Sequence, residues 1–252
     1  MRITNIRGRV EISTVEGGQR QARAGDRLER AGDRVTTGPS SSARIEIDQA
    51  TGHITMSENT QVQVQTLSIT QNGGRVTRLL VTQGQIRTQI RRFTNPDSEL
   101  EIYTPAGISG VRGTDFGIAV QPNGTTGVAT LEGSVATSAQ AQTVLVNTNL
   151  QTIIFPGEPP IPPETLRDDF TLLIEFLAIT TDGESVRLVG RTDAVNLVEV
   201  NGESQTLSRD GRFEIFVPRA DLAGQPDVLN QRIQVLVITP LGTKQAYELV
   251  VP

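Results

Sequence analysis

No cysteine occurs anywhere in the 252 residues. That removes disulfides, thiolate metal sites and a cysteine nucleophile together. There is no tryptophan and a single histidine, His53, so a histidine-based metal cluster is excluded as well. Aromatic residues make up only 4% of the chain, which argues against a cleft that stacks sugars and points to a core of Val, Ile and Leu. Lys244 is the only lysine, and arginine carries nearly all the positive charge. No apolar run is long enough to cross a bilayer. Residues 1–12 lack the charged and apolar regions of a secretory signal, so the chain is either cytosolic or has lost a signal.

The net charge of −5 argues against nucleic acid as a partner. The charge is unevenly spread. Residues 1–155 hold 15 Arg and 13 acids, net +2, and the remainder is net −7. Opposite-signed halves can steer head-to-tail self-association, although ordinary solvated surface is the simpler explanation. No glycine pattern of a nucleotide-binding loop, no G-x-S-x-G elbow and no calcium loop is present. The expectation is a protein without catalysis or cofactor.

What the chain does hold is alternation. Residues 3–15 alternate apolar and polar around Gly8, and Ile45 and Ile47, Val62 and Val64, and Leu67 and Ile69 continue the period of two. Turns punctuate it. Ala24-Gly25-Asp26-Arg27 returns as Ala31-Gly32-Asp33-Arg34, seven residues on. Each glycine would cost a helix about 1 kcal/mol, so these units read as turns that start short strands. Asn72-Gly73-Gly74 is a hairpin signal. Residues 1–155 thus read as roughly a dozen short strands in a sandwich, barrel or solenoid.

Within this domain Tyr103 to Val120 stands out. Two apolar runs flank Gly107, Gly110 and Gly113, with Arg112, Thr114, Asp115 and Phe116 between them. Arg112 and Asp115 are expected to form an ion pair at the start of a strand, since Arg grips a carboxylate with two parallel bonds. Gly110, Arg112, Gly113, Thr114, Asp115 and Phe116 are therefore candidates for an interaction loop or, as the simpler reading, a structural clip.

In order along the chain, Gly8-Arg9-Val10, Gly32-Asp33-Arg34-Val35-Thr36-Thr37-Gly38, Ser41-Ser42-Ala43, Gly84-Gln85-Ile86, Tyr103-Thr104-Pro105, Val111-Arg112-Gly113-Thr114-Asp115-Phe116 and Leu131-Glu132-Gly133-Ser134-Val135 resemble the FecR domain family. The likeness covers residues 1–155. It implies a wound all-β domain, β-helix-like or jelly-roll-like, lying outside the cytoplasmic membrane of a bacterium. In the best-known members it is the periplasmic sensor of an anti-sigma regulator that hears an outer-membrane transporter. No regulator segment or membrane span precedes the domain here, so the resemblance points to a stand-alone periplasmic, extracellular or cell-surface protein.

Residues 156–182 change character. Pro156 to Glu164 is Pro-rich and reads as a stiff linker. Leu166, Phe170, Leu173, Ile174 and Leu177 fall on one helical face, which predicts an amphipathic helix that docks a partner or packs on its own domain. Arg167 is the only base near it, which disfavours a membrane surface. Residues 183–252 look like the small Ig-like modules of bacterial surface proteins, with Val198-Glu199-Val200-Asn201-Gly202, Asp210-Gly211-Arg212-Phe213 and a final hairpin. The three parts are expected at 1–155, 156–182 and 183–252. The functional expectation is an interaction protein that works through protein contacts, including a self-assembling homopolymeric fibre. The rivals are a sensor in a signalling relay and a polysaccharide-binding module with a pocket at Tyr103, Tyr247 or the arginines.

Overall fold

Alternating apolar residues and positive-φ glycines divide the chain into strands throughout. The computed structural model describes residues 1–47, 51–222 and 231–251 and is all-β, with one 3-10 turn at Arg219–Leu222. Two units result: Met1–Arg167 with Pro240–Gly242, and Asp168–Thr239 with Thr243–Pro252.

The first unit runs β1 (Arg2–Arg7), β2 (Val10–Thr14), β3 (Gly18–Gln21), β4 (Arg34–Thr37), β5 (Ser42–Ile47), β6 (Gly52–Met56), β7 (Gln61–Ile69) and β8 (Arg75–Ile90). It continues with β9 (Glu99–Tyr103), β10 (Ile108–Val111), β11 (Asp115–Val120), β12 (Thr126–Glu132), β13 (Ser134–Ala139), β14 (Gln142–Asn147), β15 (Leu150–Ile154) and β16 (Glu164–Thr165). The strand that organises the unit is β8. Its first part pairs with β7 and, in the unit's one parallel pairing among the described strands, with β9. From Gly84 onward it pairs with β6 and β11. Gly84 sits at φ +88, and a Cβ there would lie 2.3 Å from Thr60 Oγ1 and 2.5 Å from Thr60 Cα. Only glycine permits that bend against so close a backbone.

One strand thus serves two sheets. The first sheet is ordered β1-β5-β6-β8-β11-β12-β15-β16, and the second β3-β2-β4-β7-β8-β9-β10-β13-β14. The chain passes back and forth between them. A single core takes Ile45, Ile54, Ile86 and Ile118 from the first sheet and Val35, Val62, Leu79 and Ile102 from the second. Each fully buried aliphatic contributes about 1.5–3 kcal/mol. Phe116 is the largest of the fully buried side chains.

The repeated Ala-Gly-Asp-Arg units are turns, and they match each other closely. Gly25 and Gly32 both take φ +98, and the Asp26 and Asp33 amides donate at 3.1 Å to the carbonyls of Arg23 and Arg30. Asp33 Oδ2 also accepts the amides of Glu29 and Arg30. The Pro-rich stretch expected as a linker lies along β15: Ile161 N donates to Ile153 O, and Gln151 pairs with Glu164.

The second unit holds β17 (Leu173–Ile179), β18 (Ser185–Arg191), β19 (Leu197–Val200), β20 (Glu203–Gln205), β21 (Arg212–Pro218), β22 (Arg232–Ile238) and β23 (Lys244–Val250). Its sheets are β17-β18-β21 and β20-β19-β22-β23, antiparallel throughout. Both feed one core of Val186, Leu188, Val198, Phe213, Ile233 and Val235.

The amphipathic helix predicted from Leu166, Phe170, Leu173, Ile174 and Leu177 is not formed. Glu164–Thr165 and Leu173–Ile179 are strands, and the residues between them are irregular. Asp168 turns the chain at φ +44, and its carboxylate accepts the hydroxyls of Thr239 and Thr243. Asn196 Nδ2 donates to Asp169 O at 2.8 Å, and Tyr247 Oη donates to Phe170 O at 3.0 Å. These bonds occupy carbonyls that a helix would need. A lone helix of that length is marginal in water, whereas β17 gains a full ladder with β18. Phe170, Ile174 and Leu177 still face the second core, while Leu173 is exposed.

Candidate functional site

The outer face of the first sheet carries a row of directly opposed polar residues across six strands. Arg2 on β1 stands opposite Glu46 on β5, Glu46 opposite His53 on β6, and His53 opposite Gln89 on β8. Gln89 stands opposite Asp115 on β11, and Asp115 opposite Glu132 on β12. The period of two makes this row. Ile45, Ile54, Thr88 and Phe116 point inward, so their chain neighbours Glu46, His53, Gln89 and Asp115 face out.

Asp115 is the hub. Arg87, one place along β8 on the same face, donates from Nε to Asp115 Oδ1 and from Nη2 to Oδ2, both at 2.9 Å. Gln89 Nε2 adds a bond to Oδ2 at 2.8 Å. Burial pushes the Asp115 carboxyl upward, but the bonds from Arg87 and Gln89 outweigh it and hold the group below the usual carboxylate range. Gln89 gives its NH2 to Asp115, which turns its oxygen toward His53 Nε2 at 2.7 Å. Burial, and then the Arg44 guanidinium beside it, keep the His53 ring below its ordinary pKa and neutral. Arg44 Nη2 lies 2.7 Å from the same ring nitrogen and has no carboxylate partner among the described residues.

The pair expected between Arg112 and Asp115 is therefore corrected. The arginine on Asp115 is Arg87, and Arg112 is exposed. Gly113, at φ +138, is the reason. It turns the backbone between the two residues, and a Cβ there would lie 2.4 Å from Arg92 Cα. Residues 112–114 are laced instead to the end of β8: Ile90 N donates to Thr114 O and Phe93 N to Arg112 O, each at 3.0 Å. Thr114 is buried and donates its hydroxyl to Ser134 O at 3.2 Å. Phe116 fills the core, and Gly110 lies within β10, opposite Ala136 and Glu101. The backbone of the stretch is bonded to the end of β8, and one of its side chains, Asp115, lies in the polar row. Arg87, Gln89 and Arg44 went unnoticed in the sequence, and His53 was noted only as the single histidine. The alternation Ile86-Arg87-Thr88-Gln89-Ile90 is the signal that places two of them on one outer face.

Over this row lies an open cleft of about 940 Å³, lined also by Arg44, Arg91, Arg92 and the glycines Gly52, Gly113 and Gly133. The two tyrosines lie outside it, engaged elsewhere: Tyr103 Oη donates to Glu101 Oε2 and Tyr247 Oη to Phe170 O, both at 3.0 Å. Among the described residues no group of three or more His, Asp or Glu is placed to hold a metal, and no helix is long and apolar enough to cross a membrane.

Comparison with known families bears on this face directly. Residues 33–136 match the FecR protein family. The FecR match begins at the second Ala-Gly-Asp-Arg turn and takes in Arg44, His53, Arg87, Gln89, Arg91, Arg92, Asp115 and Glu132, all but the β1 margin of the cleft. No curated protein matches the chain. Two crystal structures of a candidate anti-sigma factor from Parabacteroides distasonis ATCC 8503 align with 53% of this chain and 59% of theirs, at 13% identity and a TM-score of 0.44. The alignment thus covers less than two thirds of that protein.

Proposed function

We propose that the first unit is the sensor part of a FecR-type signalling relay and works by contacting a partner protein, without catalysis. The observation that carries this is the FecR match over residues 33–136, a span that contributes all of the lining of an open polar cleft except Arg2 and Thr4. The match favours this reading over a self-assembling surface fibre. The polar row supports contact rather than chemistry. Its hub carboxylate, Asp115, is engaged by Arg87 and Gln89, and its imidazole is held neutral with its Nε2 against Gln89. Such a face recognises; it holds no nucleophile with an activating base.

The second unit is read as an Ig-like spacer. Its orders β17-β18-β21 and β20-β19-β22-β23 are those of strands A-B-E and C′-C-F-G in an immunoglobulin-type sandwich. Export across the cytoplasmic membrane belongs to the same reading, since the FecR resemblance implies it.

Transcript profiling of the native bacterium, with the gene deleted and then restored, tests the relay. A small, reversible set of changed transcripts is expected. An unchanged transcript profile refutes the relay, and cell fractionation that finds the protein in the cytoplasm refutes the export.

A further inference from the structure

The charges of the cleft are not balanced. Arg2 is committed to Glu46 at 2.8 Å, and Asp115 to Arg87. Arg91 and Arg92 are exposed and, like Arg44, have no acidic partner among the described residues. Glu132 is the one acid of the lining without a basic partner among those residues. Among the described residues, three cations thus face the opening against one anion, on a unit that is net positive in a chain that is net negative. The polar row crosses six strands, about 24 Å at the usual spacing between neighbours, which matches about seven residues of extended peptide.

Resting on the reading of this unit as a contact domain, we propose that the cleft binds an acidic peptide segment of the partner protein, with Arg44, Arg91 and Arg92 taking its carboxylates. Guanidinium groups suit this role, since each can grip a carboxylate with two parallel bonds. Arg91 and Arg92 are exposed, and their side chains give up no bond to an acid among the described residues when they engage. Arg44 gives up only its contact with a neutral imidazole. Glu132 narrows the choice of ligand. It lowers the affinity for a uniform polyanion without cancelling the pull of the three arginines, and it favours a peptide in which a basic residue interrupts the acids. Glu132 and Arg92 are brought close by glycines. A Cβ on Gly133 would meet Gly113 O at 2.9 Å, and one on Gly113 would meet Arg92 Cα at 2.4 Å. The backbones that carry Glu132 and Arg92 thus approach each other through Gly133 and Gly113, all four in the lining, which is where the basic residue of a mixed-charge peptide would sit beside an acidic one.

The test uses the full-length chain and fluorescein-labelled octaglutamate, followed by fluorescence anisotropy in low-salt buffer. Saturable binding is expected, weakened by added salt. Arg91→Glu combined with Arg92→Glu should weaken it about tenfold or more, from the loss of about 1.4 kcal/mol. Glu132→Lys should strengthen it. The charge-matched control Arg7→Glu with Arg23→Glu, at exposed positions outside the lining, should change it less than threefold. Far-UV circular dichroism confirms that each variant is folded. No saturation with octaglutamate overturns the proposal, and so does an equal loss in the control pair, which would make the attraction one of net charge. Tighter, Arg91- and Arg92-dependent binding of polyphosphate overturns the peptide assignment. None of these results touches the relay itself, which the transcript experiment decides separately.

Discussion

The exchange of Arg112 for Arg87 as partner of Asp115 makes a prediction that separates structure from sequence spacing. Two charge-assisted bonds at 2.9 Å join Arg87 to Asp115, with side chains 33% and 15% exposed. A fully buried pair of this geometry would couple by several kcal/mol, but partial exposure lets solvent screen it, so the coupling expected is about 1–1.5 kcal/mol. Arg87→Met, Asp115→Asn and the double variant form the cycle that measures it. Urea unfolding with pulsed hydrogen exchange, read on peptides covering 84–90 and 115–120, reports the first unit without interference from the second. The sign with pH is set by the lowered Asp115 pKa. A carboxylate depressed in the folded state contributes its full stability above the unfolded value near ~3.9, and loses it as pH falls through the lower folded value. The coupling should therefore be complete at neutral pH and vanish in acid well below ~3.9. Arg112→Met is the internal control and should lie within about 0.5 kcal/mol of the parent. If Arg112→Met costs as much as Arg87→Met, or if the cycle gives no coupling at neutral pH, the assignment of the hub is wrong.

Three further outcomes follow from particular positions. Gly84→Val should destabilise the first unit by at least about 3 kcal/mol, since left-handed strain and a Cβ 2.5 Å from Thr60 Cα add together; the urea midpoint read on peptides from 75–90 checks it. Phe116→Ala should cost about 3–5 kcal/mol in the same assay, because the largest fully buried side chain leaves a cavity. Asp168→Ala should cost about 1–2 kcal/mol through the two lost hydroxyl bonds, seen as faster exchange around Thr239 and Thr243; protection unchanged there would contradict the role given to Asp168.

Most strands were legible because their signals are local. Alternation decides which residues are buried, and Gly25, Gly32, Gly73, Gly124, Gly202 and Gly211 all adopt the positive φ that their turns require. The helix at 166–177 was misread for an equally physical reason. Apolar residues at Leu166, Phe170, Leu173, Ile174 and Leu177 satisfy a period of 3.6, but Ile174, Phe176 and Ile179 also suit a strand, and a short apolar run cannot separate the two. What decided it lies 71 and 75 residues away, at Thr239 and Thr243, whose hydroxyls fix Asp168 outside helical geometry. The polar row was invisible for the same cause. Arg2, Glu46, His53, Gln89, Asp115 and Glu132 come from six stretches of chain, and only strand register makes them neighbours.

That contrast bears on where specificity can reside. The residues that make the FecR stretch readable, Val111, Gly113, Thr114 and Phe116, point into the core or press against backbone, so their identities are dictated by packing and turn geometry. Arg44, Arg91, Arg92 and Glu132 are exposed, and the backbone does not require their charges. Changing any of them alters the field over the cleft while leaving the backbone bonds of Arg112 and Thr114 to Phe93 and Ile90 intact. A scaffold of this kind can keep one fold and exchange its partner by surface charge alone. Charge reversal at these four positions should therefore redirect binding without lowering stability by more than about 0.5 kcal/mol, whereas substitutions at Gly113, Thr114 and Phe116 should lose fold and binding together.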